Sequence, residues 1–222
     1  MVTLLLRLEG PMQSWGITSC FDERDTGLEP SKSGIIGLLC AALGRDRNEP
    51  VDDLAALRMG VRVDKEGIPR REFQTATGIM QADGKPNPKK TVVSPRYYLS
   101  DASFLVGLEG QDEAFLVSLD RALGAPIWPP CLGRKAFVPG RPVRLENGGV
   151  RQGALLDVLR AYPLEAMFAT KDARSCLVRF ALESDTEGSL RLDQPIGPFV
   201  QRRFGPRCVR MEVYNVSVQV TP

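Results

Sequence analysis

The chain has 222 residues, of which 43% are hydrophobic and 25% are charged, and its formal net charge is +2. These values are typical of an ordinary globular protein and exclude a strongly basic, tail-like nucleic-acid binder. The length suffices for one large domain, or for one domain with a smaller second part. Any contact with RNA must therefore come from local clusters of Arg and Lys.

The cysteine and histidine contents indicate which reactions and which cellular compartment to expect. The five cysteines are scattered without a Cys-x-x-Cys pair, which indicates a reducing cytosol and argues against a disulfide framework or a zinc site. Histidine is absent, so the side chain most often used as general base and metal ligand is missing. The first apolar stretch is too short for a signal peptide, and no run is long enough to span a membrane. We expect a cytoplasmic protein with no cofactor, in which catalysis is disfavoured.

Hydrophobic periodicity predicts alternating strands and helices at the start of the chain. One predicted helix is apolar on nearly every face and is followed by Gly44, which suits a left-handed C-terminal cap. The elements expected here are a strand at Val2–Leu8, helices at Ser33–Leu43 and Val51–Arg58, and a strand at Met59–Asp64.

The segment Pro69–Tyr98 differs from its surroundings because it is polar and basic. Two β-prone stretches, Glu72–Thr77 and Thr91–Ser94, flank a turn-rich basic tip at Asp83–Lys90. This pattern predicts a long β-hairpin that projects from the domain, and a mobile surface loop is the alternative.

The remaining elements complete an α+β pattern. They are a strand at Ser103–Leu108, helices at Asp112–Leu123 and Arg151–Tyr162, and strands at Cys176–Glu183 and Cys208–Val220, the last two joined by a basic loop at Gln201–Arg207. The order predicts a ferredoxin-like (RRM-like) βαββαβ domain over residues 1–140, including a hairpin at about 69–98. Residues 141–222 are expected to form a smaller β-rich C-terminal part packed on that domain.

Four ordered blocks carry a resemblance to a known family. They are Leu5–Gly16, Pro30–Gly44, Arg96–Phe104 and Cys131–Lys135, whereas the last third of the chain matches only in its general layout. In these blocks the chain resembles the CasD family of the RAMP superfamily, the subunits of type I-E CRISPR Cascade complexes that hold the 5′ end of the guide RNA.

The resemblance implies a binding role without turnover. Such a subunit would cap the 5′ handle of the crRNA and would anchor a CasC-like backbone subunit through the hairpin, used as a thumb. It would also dock a CasA-like large subunit, and it would meet target DNA through the assembled complex, with no membrane involved.

Side-chain chemistry within the matched blocks selects candidate RNA-binding residues: Gln13, Trp15, Lys32, Ser33, Arg96, Gly133, Arg134 and Lys135. The Ser and Lys at the helix start could bind a phosphate through N–H groups, a hydroxyl and an ammonium group, or could serve only as a cap. Trp15 could stack on a base or anchor the packing of a strand end.

Other basic residues lie outside the matched blocks. Lys89, Lys90, Arg202 and Arg203 could contact RNA or a protein partner, although short basic runs are also ordinary solvated surface. The carboxylates Asp22, Glu23 and Asp25 accompany Arg24 in one loop and are expected to be exposed charges rather than metal ligands.

Two alternative functions remain open on the sequence. The first is a metal-independent endoribonuclease that processes CRISPR repeat RNA, with Tyr97 or Tyr98 and Lys135 in its site. The second is a protein scaffold that makes no RNA contact. The helix start lacks the spacing of a Walker A loop, so nucleotide hydrolysis is not expected.

Overall fold

The computed structural model describes residues 1–18, 23–81, 83–169 and 173–219. Asp22 and Val220, which appear in the predictions above, lie outside these residues. The elements in chain order are β1 (Val2–Glu9), β2 (Met12–Gln13), α1 (Lys32–Leu43), α2 (Asp52–Ala55), β3 (Arg58–Lys65), β4 (Ile68–Thr77), β5 (Thr91–Ser100), β6 (Ser103–Gly110), α3 (Glu113–Gly124), β7 (Val150–Gln152), α4 (Leu155–Ala161), β8 (Ser175–Ser184), β9 (Ser189–Pro195) and β10 (Phe204–Ser217), with single 3₁₀ turns at Ala166–Phe168 and Phe199–Gln201.

An antiparallel seven-stranded sheet in the order β7-β1-β6-β3-β8-β10-β9 forms the centre of the molecule. Both of its faces are covered, with α1, α2 and α3 packing on one apolar cluster and α4 packing on the other. Along β1, Leu4 and Leu6 belong to the first cluster and Leu5 to the second, because successive side chains of a strand point to opposite faces. This two-sided burial explains why β1 is a continuous apolar run in the sequence.

A smaller sheet in the order β2-β5-β4 stands beside the large one. Strands β4 and β5 pair over their whole length, from Ile68 opposite Ser100 to Thr77 opposite Thr91. Nearly every residue of β4 is exposed, whereas Leu99 near the end of β5 is fully buried. The pair therefore leaves the body of the protein at one end and presents most of its surface to the surroundings.

Helix α1 begins and ends as the sequence indicates. Ser31 is the N-cap, and its Oγ accepts a hydrogen bond from the N–H of Gly34 at 3.3 Å. Gly44 adopts a left-handed conformation with φ of 69°, and its N–H donates to the carbonyl of Ala41. The two caps fix where the helix mouth lies relative to β2, which matters for the site described below.

The predicted α+β class is confirmed, and three local predictions are wrong. The segment predicted as one helix, Arg151–Tyr162, begins instead with β7 and turns at Gly153, whose φ is 131°, before α4 starts. Strand β7 forms because Val150 and Arg151 pair with the free edge of β1. The second helix is only α2, because Arg58 already belongs to β3.

The third wrong prediction concerns the connection between the last two predicted strands. Strand β9 lies in that connection and was missed because Leu190 and Leu192 alternate with polar residues over only a short stretch. Strand β10 begins at Phe204 rather than at Cys208, so part of the expected basic loop is a paired strand.

Candidate nucleic-acid interface

A cleft of ≈ 260 Å³ opens where several segments distant in the sequence meet. It lies between the end of β2, the mouth of α1, the loop around residue 133 and the start of β10. The residues on which the argument depends are Arg24, Ser33, Gly133, Arg134, Phe199 and Phe204. The fold thus brings cationic, hydroxyl and aromatic side chains to one opening, together with the carboxylate of Asp25.

The loop that carries Gly133 is pressed against β2. The N–H of Ser14 donates to the carbonyl of Leu132 at 3.0 Å. Gly133 has φ of 90°, and a Cβ built on it would lie 1.7 Å from the carbonyl oxygen of Ser14. Only glycine fits this conformation and this approach. The glycine therefore places the next residue, Arg134, at the cleft.

The guanidinium of Arg134 lies over the ring of Phe137, at 5.2 Å from its centroid, and its hydrogen bonds are made by Nη2. Its Nη2 donates to the carbonyl oxygens of Tyr97 at 2.8 Å and Arg24 at 3.3 Å. Its Nη1 lies 3.7 Å from Glu72 Oε1, beyond hydrogen-bond distance, and is buried without a hydrogen-bond partner among the described residues. Burial lowers the pKa of Arg134, as do the charges of Arg96 and Arg24, whereas Glu72 acts in the opposite direction.

Two further arginines lie near Arg134: Arg24, which lines the cleft, and Arg96 of β5, which does not line it. The two residues form a parallel β-bridge, in which the N–H of Arg24 donates to Pro95 at 2.9 Å and its carbonyl accepts from Tyr97 at 2.8 Å. Arg24 is exposed, and the Nε of Arg96 is buried without a hydrogen-bond partner in the described part of the chain. The positive charges of Arg24 and Arg96 act on Arg134 and are partly offset by the carboxylates of Glu72 and Asp25.

The mouth of α1 is less open than the sequence suggests. The N–H of Lys32 donates to Asp193 Oδ2 at 2.8 Å, and its Nζ lies 3.0 Å from both carboxylate oxygens of Glu183. Burial lowers the pKa of Lys32, while the carboxylate of Glu183 acts in the opposite direction. Of the two predicted residues at this mouth, Ser33 alone lines the cleft, and Lys32 is committed to an internal ion pair.

Gln13 and Trp15 are buried beneath the cleft. The Nε2 of Gln13 donates to the carbonyls of Leu8 at 3.1 Å and Ala102 at 2.8 Å, and its Oε1 accepts from Trp15 Nε1 at 3.2 Å. The indole is 1% exposed and packs against Gly34. Neither side chain offers a surface on which a base could stack, so in this structure both support the cleft from inside, as the packing alternative has it.

The other predicted basic residues are exposed and do not line the cleft. Lys135 follows Arg134 directly, and Arg202 and Arg203 precede the lining residue Phe204. Lys89 and Lys90 lie in the turn between β4 and β5.

Sequence reasoning missed Arg24, Glu72 and Phe199 as members or neighbours of this site. Arg24 lies in a loop of mixed charge, where no local signal marks it, and Phe199 lies in a short 3₁₀ turn. The partners of Lys32 are also invisible to local patterns, because Glu183 is 151 residues away along the chain. Phe199 and Phe204 form the aromatic side of the cleft, and the only sequence signal near them is the basic pair Arg202 and Arg203.

Within the ranges that the structure describes, no group of three or more His, Cys, Asp or Glu side chains is placed to hold a metal ion. None of the helices there is long and apolar enough to cross a membrane.

Comparison with known proteins decides the family. A family model described as CRISPR-associated protein (Cas_Cas5) matches residues 3–210. The chain belongs to the Cas5 family. The resemblance predicted from the four sequence blocks is thereby confirmed, and the match extends well into the last third of the chain, where the sequence blocks were weak.

Similar proteins agree with this family. The CRISPR system Cascade subunit CasD of Escherichia coli (strain K12) is 35% identical over 158 residues, which cover 64% of this chain and 69% of that protein. A solved structure titled "CRISPR RNA-guided surveillance complex" contains a chain with 38% identity and a TM-score of 0.81, covering 97% of this chain and 91% of that one. A crystal structure of a Cas protein has 48% identity and a TM-score of 0.76, covering 95% and 94%.

Proposed function

We propose that this Cas5 protein is a non-catalytic subunit of a type I-E Cascade surveillance complex and that its cleft binds the 5′ handle of crRNA. The observation that carries the proposal is the meeting of the Arg24, Arg96 and Arg134 charges beside the cleft, where Arg24 is exposed and lines the opening together with Arg134. The relatives named for a Cascade subunit and for a surveillance complex support the assignment.

The chemistry of the cleft suits a ribonucleotide backbone. A phosphate would accept hydrogen bonds from the exposed guanidinium of Arg24, and arginine presents its donors in a planar fork. The hydroxyl of Ser33 offers a further contact, and Phe199 and Phe204 provide apolar walls for a base. Stacking of a base on an aromatic ring contributes about 1–3 kcal/mol. The proposed contacts are therefore those of Ser33, Arg96, Gly133, Arg134 and exposed Lys135, with Arg24 added.

The proposed function also assigns roles to the parts of the fold outside the cleft. The strand order β7-β1-β6-β3 with α1 and α3 on one face supports a ferredoxin-like core, whose fourth strand, β7, lies beyond the boundary at residue 140. The paired strands β4 and β5 would be its thumb, which grips a CasC-like backbone subunit, with Lys89 and Lys90 at the tip. Residues 141–222 would pack on this core and, with Arg202 and Arg203, help to dock a CasA-like large subunit. Target DNA would be met through the complex, in the bacterial cytoplasm.

The position of Tyr98, a candidate in the nuclease alternative, supports RNA binding rather than RNA cleavage. The ring of Tyr98 packs against Phe137, with ring centroids 5.9 Å apart, and belongs to the edge of the main apolar cluster. Phenol groups used for packing are poor candidates for deprotonating a ribose hydroxyl.

The test is co-expression of the tagged chain with its neighbouring Cas proteins and a repeat-bearing RNA, followed by sequencing of the RNA that co-purifies. The variants are Arg24→Ala, Arg134→Lys and Lys135→Ala, and the matched control is Arg121→Ala, an exposed arginine of α3. We expect crRNA with an intact 5′ handle, reduced about tenfold at physiological salt in the variants of Arg24 and Arg134 in the cleft and of Lys135 beside it, and unchanged in the control.

Each outcome discriminates between the functions. The affinity for RNA falls as the salt concentration rises, and the steepness of this fall depends on the number of phosphate contacts. Removing one cation that contacts a phosphate should reduce the magnitude of the slope of log affinity against log salt by about one. Retention of RNA at the control level in all three cleft variants supports the protein-scaffold alternative and contradicts the proposal. Cleavage of repeat RNA without metal, lost in Tyr98→Phe or Lys135→Ala, supports the nuclease alternative.

A further inference from the structure

The long strand β10 has an open edge over half its length. It pairs with β8 from Cys208 to Ser217, but β9 covers its other side only from Phe204 to Val209. The next contact on that other side is the bridge between Leu164 and Val218. No strand of the described residues covers the interval 210–216, which is about 24 Å long at the usual rise of a strand.

The hydrogen bonds at the end of this interval identify the backbone groups that face outward. The carbonyl of Ser217 accepts from Leu164 at 2.8 Å, and the N–H of Gln219 donates back to Leu164 at 2.7 Å. Because the direction of these groups alternates along a strand, the odd-numbered residues of β10 point away from β8. Met211, Val213 and Asn215 therefore present their N–H and carbonyl groups to the open side.

The side chains along this edge are apolar and exposed. Met211 is 42% exposed and Val213 is 58% exposed. On the same face, Leu177 of β8 stands opposite Asn215 and is 72% exposed. Long open edges with exposed apolar side chains recruit other strands, and natural proteins cover or charge them. The backbone groups of this edge are therefore available to pair with a further strand.

The charges around the edge specify the kind of partner. Arg160 and Arg174 are exposed and have no ion-pair partner in the part of the chain that the structure describes, and Arg160 lies 4.6 Å from the ring of Tyr214. Arg191 Nη2 approaches the sulfur of Met211 at 3.7 Å, but this guanidinium is paired with Glu29, and Glu212 within the interval is paired with Arg210. The uncompensated charges near the edge are therefore those of Arg160 and Arg174, which a second copy of the chain would duplicate and an acidic segment would pair with.

We propose that this edge is completed by an extended segment of a partner protein, apolar on one face and acidic, which adds as a strand beside Met211, Val213 and Asn215 in line with β9. Backbone hydrogen bonds supply the attachment, and the exposed apolar side chains with the neighbouring arginines supply the selectivity. The surface is separate from the cleft, so the proposal does not require RNA to bind there.

The experiment compares residue-resolved amide hydrogen exchange in the isolated chain and in the complex purified from co-expression with its neighbouring Cas proteins. We expect the amides of Met211, Val213 and Asn215 to exchange at least about tenfold more slowly in the complex. Cross-linking followed by mass spectrometry then identifies the segment beside β10, which is expected to be rich in apolar residues, Asp and Glu.

Two variants separate the edge from unrelated effects. Met211→Glu combined with Val213→Glu repels an acidic segment and is expected to weaken partner retention about tenfold. The control is Leu192→Glu, because Leu192 is an equally exposed apolar residue of β9, at 58%, but lies away from the open interval. The amount of bound crRNA reports on the proposed function independently, so failure of one proposal is distinguishable from failure of the other.

Three results overturn the inference. The first is equal exchange of the three amides in the chain and in an RNA-containing complex. The second is protection that already appears in the isolated chain and grows with its concentration, which identifies a second copy as the occupant. The third is cross-linking to a basic or wholly polar segment.

Discussion

The backbone N–H of Lys32 donates to Asp193 Oδ2 at 2.8 Å, so a carboxylate from β9 occupies the start of α1. The same carboxylate accepts two hydrogen bonds from Arg207, at 2.6 and 2.9 Å. A negative charge at a helix N-terminus is stabilised by the helix dipole. The sequence suggests a phosphate at the N-terminus of α1, but the carboxylate of Asp193 binds there instead. This contact links α1 to the C-terminal strand β9.

The variant Asp193→Asn tests how much this carboxylate stabilises the fold. Asp193 is 1% exposed, and removing one member of a buried ion pair leaves the other charge uncompensated. We expect the free energy of unfolding to fall by about 3 kcal/mol at neutral pH, measured by urea denaturation. The control is Asp185→Asn, in the exposed turn after β8, which should change stability by less than about 0.5 kcal/mol.

The same residue predicts a dependence of stability on pH. Burial alone would raise the pKa of Asp193, but hydrogen bonds and charge from Arg207, with the N–H of Lys32, outweigh it and lower the pKa. A carboxyl whose pKa is lower in the folded state stabilises the fold above its unfolded pKa of about 3.9, and this stabilisation is lost as the pH falls through the folded pKa. The stability difference between the native chain and Asp193→Asn should therefore shrink below about pH 4. A constant difference down to pH 2 contradicts the assignment.

Local patterns predicted the elements whose signals lie within one short stretch of sequence. The apolar run of β1, the Ser31 and Gly44 caps of α1 and the strand propensities of β4 and β5 are such signals. Strands β7 and β9 escaped because both are short and are stabilised by pairing with distant strands. Strand β8 pairs with β3 and so extends the large sheet into the last third of the chain. No local pattern in either strand predicts this pairing.

The candidate site was predicted in part for the same reason. Arg134 and Gly133 were found because their chemistry is unusual within one short block. Burial decides the role of Lys32 and Trp15, and burial depends on which distant residues fold over them. A side chain suited to RNA is also suited to an internal contact, and the sequence does not distinguish the two.

Gly133→Ala should damage the cleft while Gly37→Ala should not. A Cβ at residue 133 would lie 1.7 Å from the carbonyl oxygen of Ser14, in a conformation with positive φ, whereas a Cβ at residue 37 meets nothing within 4 Å. We expect Gly133→Ala to lower the free energy of unfolding by about 2–4 kcal/mol and to reduce crRNA retention. Gly37→Ala lies inside α1 and should raise stability by up to about 1 kcal/mol. Equal stability of the two variants would contradict the close approach to β2.

Cys40 should be the least reactive of the four described cysteines. It is 6% exposed, and burial raises the pKa of its thiol to about 11, so almost no thiolate exists at pH 8. Iodoacetamide at pH 8 is expected to label Cys176 and Cys208 in the folded chain and to reach Cys40 only in urea. Peptide mass spectrometry measures the labelling of each site, and rapid native labelling of Cys40 would show that α1 opens readily.

Fluorescence of Trp15 tests whether the indole stacks on RNA. The chain has two tryptophans, of which Trp15 is 1% exposed and Trp128 is 44% exposed. In the variant Trp128→Phe all tryptophan emission comes from Trp15, and we expect it to resist quenching by iodide. Adding crRNA should leave this emission nearly unchanged, because the indole is enclosed by Gln13 and Gly34 and cannot meet a base. Strong quenching by RNA would mean that β2 opens on binding and that Trp15 stacks on a base. The variant Trp15→Phe provides the comparison, since iodide should quench the emission of the remaining exposed Trp128 readily.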